Sequence, residues 1–326
     1  MEKVKSFTKK NIIVFVLIFL CLGFGLGNKS FLSAQNLVNL TTQMAINAML
    51  SAGLTYVIIL GGIDISVGSV AALAGVCGAL VARENPEASI FVASLIWIGA
   101  ALVVGAICGA FNGLMIAYFK VVPMIATLAM LNMARGLCFV LSGGSSVSGV
   151  KSNYSFLGAA RLLQTADKPT GWIPIITIFV IVAVFIVHIL LSKTVFGRHV
   201  YATGSNSNVA HLSGINTAKV TFLSHVICGI MAAMGGVLNA SKLQNGQPGA
   251  CDAYEMYAIA ATVLGGTSLS GGSGSVARAM IGVAVIAVIN NGMNLLHIDS
   301  YWQKVVIGMI ILLAVILDMA QKKQKA

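Results

Sequence analysis

The chain has 326 residues, 58% of them hydrophobic and only 9% charged, with a net charge of +11 and a mean hydropathy of +0.93. A soluble domain carries about a quarter charged residues, so this composition excludes an ordinary water-soluble enzyme and describes a chain built for lipid. The positive charge is scattered and lacks interleaved aromatics, which argues against nucleic acid as a partner.

The first apolar run, residues 11–28, follows Lys3, Lys5, Lys9 and Lys10. It has the outline of a signal peptide, but it is long for one and no convincing A-x-A cleavage site follows, so it is expected to stay as a first span. Further windows long enough to cross a hydrocarbon layer of ~30 Å fall at 37–60, 65–82, 89–118, 121–141, 173–192, 217–240, 256–272, 275–297 and 302–319. The expected fold is therefore an all-α polytopic membrane protein of about ten transmembrane helices, forming a single domain over residues 1–326. The eighth window is short and rich in Gly, Ser and Thr, so it reads as a broken or re-entrant segment. Residues 142–170 form the longest outer connection, with room for one or two short surface helices.

Ten crossings place both termini on one side. With the termini inside, twelve basic residues (Lys3, Lys5, Lys9, Lys10, Lys120, Lys193, Arg198, Lys219, Arg278, Lys322, Lys323, Lys325) face the cytoplasm against three acids (Glu2, Asp64, Asp318). Seven basic residues and six acids, Asp167, Asp252 and Glu255 among them, then fall outside. That is the asymmetry of the positive-inside rule. The six cysteines lie mostly within apolar runs, without a CxxC pair, and read as small packing residues.

Within the spans, Asn36, Asn39, Gln43, Asn47 and Ser51 share about a third of one helix face. Carboxamides cost too much to face lipid, so this stripe either bonds neighbouring helices or lines a path for a polar, hydroxyl-rich solute. Asn290, Asn294 and His297 form a second stripe. After the Gly61–Gly62 break, Asp64 or Ser66 can cap the third span; alternatively, Asp64 is an ion or proton site. Gly105, Gly109 and Gly113 recur every four residues, the spacing of close helix packing. Arg135 is expected near the outer surface, with Asp252 or Glu255 as a possible counter-charge. The run around Gly265 and Gly266 lacks the lysine of a P-loop and reads as a surface bend. No HExxH, carboxylate cluster or nucleophile elbow is present, so enzyme readings, a membrane-embedded transferase included, have no catalytic centre to rest on.

The most polar internal stretch, Lys193–Lys219, holds no acid. Ser205 or Asn206 can cap about two helical turns there, with Gly214 as a left-handed stop. A short helix held between two spans suits a cytoplasmic partner.

Gly61-Gly-Ile-Asp-Ile-Ser-Val-Gly68, the run Gly197–Asn216, Ala258–Gly272, Asn290–Leu296 and Ile316-Leu-Asp318 together resemble the ribose/galactose-type permease subunits of bacterial ABC sugar importers. The resemblance spans residues 36–318. It implies a multi-pass protein of the bacterial inner membrane and a core of two permeases, either two copies or a copy and a sister. It also implies a cytoplasmic ATPase with two fused nucleotide-binding halves and an extracytoplasmic sugar-binding protein. ATP and Mg would be held by the ATPase, leaving this chain without a cofactor. Ser205, Asn206, Val209, Ala210, His211, Leu212, Ser213 and Gly214 would form the coupling helix. Asn39, Gln43, Asn47, Ser51, Asn290 and Asn294 would line the path, while Gly61, Gly62, Asp64, Gly265 and Gly266 would be structural. One departure stands out: Tyr257 occupies a position where the family often carries an acid. Rival readings from the residues are an ion- or proton-coupled transporter using Asp64 and a passive polyol channel.

Overall fold

A computed structural model describes residues 12–163 and 171–323. The N-terminal lysines, Asp167 and Lys168 lie outside the described residues. The helices are α1 (Ile12–Gly27), α2 (Ala34–Ile59), α3 (Val67–Glu84), α4 (Ile90–Ala117), α5 (Pro123–Ser142), α6 (Phe156–Ala159), α7 (Ile175–Lys193), α8 (Val195–Ser205), α9 (Ser207–Leu212), α10 (Thr217–Leu243), α11 (Tyr254–Leu264), α12 (Val276–Leu295) and α13 (Ser300–Lys323). Seven of them (α2, α3, α4, α5, α7, α10 and α12) are long and apolar enough to cross a membrane. The connection between α5 and α7 carries a 3-10 turn (Ser152–Ser155), α6 and a two-residue antiparallel pair, β1 (Arg161–Leu162) with β2 (Ile173–Pro174).

The centre of the bundle is α10, packed on α2, α3 and α4. In lipid no hydrophobic force draws helices together, so close backbone approach must do so. The expected small-residue stripe of α4 performs this task. A methyl on Gly105 would meet Ile230 Cα at 2.6 Å, and one on Gly113 would meet Phe222 Cα at 3.0 Å. From the other side, Gly229 sits directly on the Gly105 carbonyl. The apolar window of α2 is 78% buried whereas those of α4 and α7 are 22% buried, so α2 is interior and α4 and α7 form the perimeter. The α5–α7 connection is tied down by Tyr154, whose carbonyl accepts from Trp97 Nε1 (2.9 Å) and Ser241 Oγ (2.6 Å).

The eighth window is a broken segment, as its composition suggests. The helix α11 has 11 residues, about 16 Å of rise, too short to cross. Both flanks of this helix are non-helical, residues 244–253 before it and the Gly/Ser run after it. Chain from Gln244 to Ala253 is non-helical. Gly246 packs on Val76 and Ala79 of α3, but Glu255 lies beside Gly68 in the first turn of the same helix. From Val76 to Gly68 the chain descends about 12 Å into the bundle. Glu255 is therefore drawn in beside α3, which corrects its place among the surface charges, whereas Asp252 stays exposed. Polar composition had marked this stretch as an external loop, whereas its backbone is sheltered by α3 and α5.

Candidate functional site

Three distant motifs meet at one end of the bundle. The α8 helix begins at Thr194, whose Oγ1 accepts from the Gly197 amide (3.2 Å). Near its other end, Gly204 lies directly on the Ile59 carbonyl at the end of α2, and an added Cβ would also reach Gly272 N at 3.0 Å. The Gly272 amide donates to the Ile59 carbonyl (2.8 Å), and Tyr201 Oη donates to the Gly274 carbonyl (2.9 Å). Burial pushes the Tyr201 phenol above its ordinary pKa, which keeps this donor protonated. Gly61, Gly266, Gly271 and Gly272 all have positive φ (81°, 85°, 84° and 74°). The glycine-rich run is thus a bracket that binds α8 to the end of α2 and to the α11–α12 connection. Tyr56 adds a second tie: it donates to the Val187 carbonyl (2.6 Å) and stacks on Phe196 with centroids 6.2 Å apart.

On this bracket stands α9. Asn206, rather than Ser205, is its N-cap: Asn206 Oδ1 accepts from the Val209 amide at 3.0 Å, while Ser205 completes α8. Gly214, at φ 83°, closes the helix as expected, its amide donating to His211 O (2.9 Å) and Ile215 N to Ala210 O (3.1 Å). The six-residue helix has two unlike faces. Ala210 is buried at 4%, facing the bundle, whereas Val209 and Leu212 are 58% and 86% exposed. His211, Ser213 and Gly214 are also exposed. An almost fully exposed leucine on a capped, anchored polar turn is a projecting apolar contact. The expectation that Ala210 faces a partner is corrected, because its side chain is used internally.

Asp64 is 1% exposed. Its Oδ1 accepts from the Ser66 amide (2.9 Å) and Ser66 Oγ (2.6 Å), and its Oδ2 from Asn112 Nδ2 (3.3 Å). Ser66 is the N-cap of α3 but makes no side-chain cap bond, so Asp64 orders the turn before the helix instead of capping it. This is the structural reading of Asp64, with both oxygens occupied by donors.

The amide stripe divides. Asn36 exchanges hydrogen bonds with Asn291 (2.8 and 3.0 Å), and Asn291 also donates to Gln43 Oε1 (3.4 Å), so these side chains join α2 to α12. Ser51 Oγ donates to Ala258 O (3.2 Å), Asn39 accepts from Gln35 and Arg161, and Asn294 accepts from Gln303 (2.6 Å). Asn47 Oδ1 and Asn290 Oδ1 are buried without a protein partner. Asn291, outside the expected stripe of Asn290, Asn294 and His297, is the residue that pairs with α2.

Arg135 Nη1 donates to the Pro248 and Ala250 carbonyls (2.7 and 2.9 Å) and forms no ion pair with Asp252 or Glu255. Among the described residues the one ion pair is Arg83–Glu84. The segment Arg135 holds contains three non-glycine residues in the left-handed region: Gln244 (φ 53°), Cys251 (φ 54°) and Ala253 (φ 61°). Each costs on the order of 1–2 kcal/mol, a strain that sequence patterning does not disclose.

The model for "Branched-chain amino acid transport system / permease component" matches residues 36–315. The chain is 40% identical to the ribose import permease protein of Bacillus subtilis, covering 89% of this chain and 87% of that protein. It is 38% identical to the ribose import permease protein of Escherichia coli K12, covering 90% and 88%. It is 35% identical to the galactose/methyl galactoside import permease protein of Haemophilus influenzae, covering 100% and 99%. No solved structure matches the chain.

Proposed function

The chain belongs to the branched-chain amino acid transport system / permease component family and is a transport component, not an enzyme; on that premise we propose how it works as the permease subunit of an ATP-driven sugar importer. The observation that carries the reading is the exposed pair Val209 and Leu212 on a capped helix bracketed to the ends of α2, α11 and α12. A soluble ATPase with two fused nucleotide-binding halves takes hold of α9. Its closure on ATP moves α8, and the glycine bracket passes that displacement to α2 and to the α11–α12 connection. Ligand-driven rearrangement needs only that nucleotide and partners bind the two states unequally.

In this arrangement ten segments engage the bilayer, α1, α11 and α13 completing the set, with both termini cytoplasmic and α11 the inner half of a broken crossing. ATP and Mg reside on the ATPase, and this chain holds no cofactor. Two permeases, identical or sister chains, form the core in the bacterial inner membrane, and an extracytoplasmic sugar-binding protein delivers the solute. Within the amide stripes, Asn47 and Asn290 support the path reading through their unpartnered oxygens, whereas Gln43, Ser51, Asn39 and Asn294 are bonded to protein groups.

Affinity purification of the chain from native membranes in mild detergent tests the proposal. Stoichiometric recovery of a tandem-domain ATPase, with sugar uptake that stops when ATP hydrolysis is blocked, is the expected result. Uptake by the chain alone, collapsed by an ionophore and indifferent to loss of the ATPase, would overturn it.

A further inference from the structure

Between α3, α5 and the descending segment lies an open recess of about 340 Å³. Its walls carry Ser69, Leu131, Arg135, Phe139, Asp252 and Glu255. The volume lies at the lower end of the roughly 300–1,000 Å³ of small-molecule sites. The recess lies well along α5: Gly62, just before α3, stands beside Pro123 at the start of α5, and Arg135 stands about 18 Å of helix rise above that level. That is past the middle of a hydrocarbon layer of ~30 Å. Irregular backbone persists at such depth only where protein shelters it or where it borders water. Gly68 makes the room for this: a methyl there would strike the Glu255 carboxylate.

We propose that this recess is a station on the transport path where a neutral polyhydroxylated solute of monosaccharide size is held. The inference rests on the importer reading and names a solute contact within it. Two carboxylates accept from neighbouring hydroxyls, the guanidinium donates to hydroxyl or ring oxygens, and the Phe139 ring offers a face for C–H groups. Arg135 lies within electrostatic range of Glu255 yet is not paired with it. Its Nη1 is committed to the Pro248 and Ala250 carbonyls, which fixes the guanidinium in place with its other donors still available. With two acids against one base, the recess carries a net negative charge and repels sugar phosphates and sugar acids, a selectivity by repulsion.

The complete transporter, with its ATPase and binding protein in proteoliposomes, provides the test, using radiolabelled D-ribose, D-galactose and D-allose as probes. For the variant Glu255→Gln with Asp252→Asn, sugar moved per ATP hydrolysed should fall at least tenfold with subunit recovery unchanged. In Ser69→Cys and Phe139→Cys complexes, the transported sugar should slow modification by a small membrane-impermeant thiol reagent at least threefold; a non-transported sugar should not. Unchanged uptake in the carboxamide variant would overturn the proposal, as would modification rates indifferent to the transported sugar. If the unmodified transporter moves a sugar with no need of ATP or the ATPase, the importer reading fails and this inference falls with it. If it moves one with ATP while the recess variants behave normally, only the inference fails.

Discussion

Leu212→Ala separates a docking contact from a structural one. The side chain is 86% exposed, so its removal takes almost nothing from the permease itself, and surface changes of this kind stay within about 0.5 kcal/mol. If the leucine inserts into the ATPase, truncation withdraws three carbons from that interface at about 0.8 kcal/mol each, or ~2.4 kcal/mol in all. At 1.4 kcal/mol per decade the partner should then bind on the order of 50-fold more weakly. Titrating purified ATPase onto the permease in nanodiscs, with thermal melting of the permease alone as the parallel readout, measures both quantities. The matched contrast is Ala210→Asp. A carboxylate introduced at a position 4% exposed should lower the melting temperature of the permease itself. An affinity change below threefold for Leu212→Ala, or a melting shift as large as that of Ala210→Asp, would refute the division of α9 into an inner and an outer face.

Replacing Asn36 or Asn291 singly by leucine leaves the buried Oδ1 of the other without its donor and should cost about 1–3 kcal/mol. The double replacement should be less harmful than the sum, a positive coupling in a double-mutant cycle measured by thermal melting; strict additivity would return these residues to the path. Gly204→Ala drives a methyl into the Ile59 carbonyl and should abolish sugar-stimulated ATP hydrolysis, while the α4–α10 packing, followed by disulfide trapping of introduced cysteines, persists. Asp64→Asn keeps an acceptor for Ser66 and should leave uptake insensitive to an ionophore. Ionophore-sensitive uptake in the unmodified transporter that vanishes in this variant would favour ion coupling. For Asn47→Cys, labelling by a small polar thiol reagent should depend on the nucleotide bound to the complex; no labelling in any nucleotide state would class Asn47 with the packing amides.

Apolar length and glycine spacing carried most of the fold, because a span is defined by its own residues. The Gly105–Gly109–Gly113 stripe was legible for the same reason: small side chains at one-turn spacing have few uses other than close packing. Asn206 and Gly214 were legible as helix punctuation, which is also local chemistry. What escaped depended on partners distant in sequence. The amides of α2 announced a polar neighbour without naming it, and only the approach of Asn291 shows the pair. The inward turn of Ala210 could not be read from a six-residue helix, where one residue decides which face is covered. Residues 244–253 were the furthest from legible, since glutamine, asparagine and glycine in series describe an external loop equally well. Their descent is imposed by Arg135 on α5 and the space above Gly68 on α3.

The central position of α10 bears on how the chain is made. Helices α2, α3 and α4 emerge from the ribosome well before α10, yet the surface they share is completed by that helix, which begins only at Thr217. At about 5–20 residues per second, the interval from Ala117 to Leu243 takes on the order of 10 s. During that time the glycine faces of α4 must be occupied by lipid, by insertion machinery or by one another. Biogenesis is therefore late and all-or-none around α10. A chain truncated between α7 and α10 holds most of the membrane helices but no keystone, and it is the species that membrane proteases should recognise.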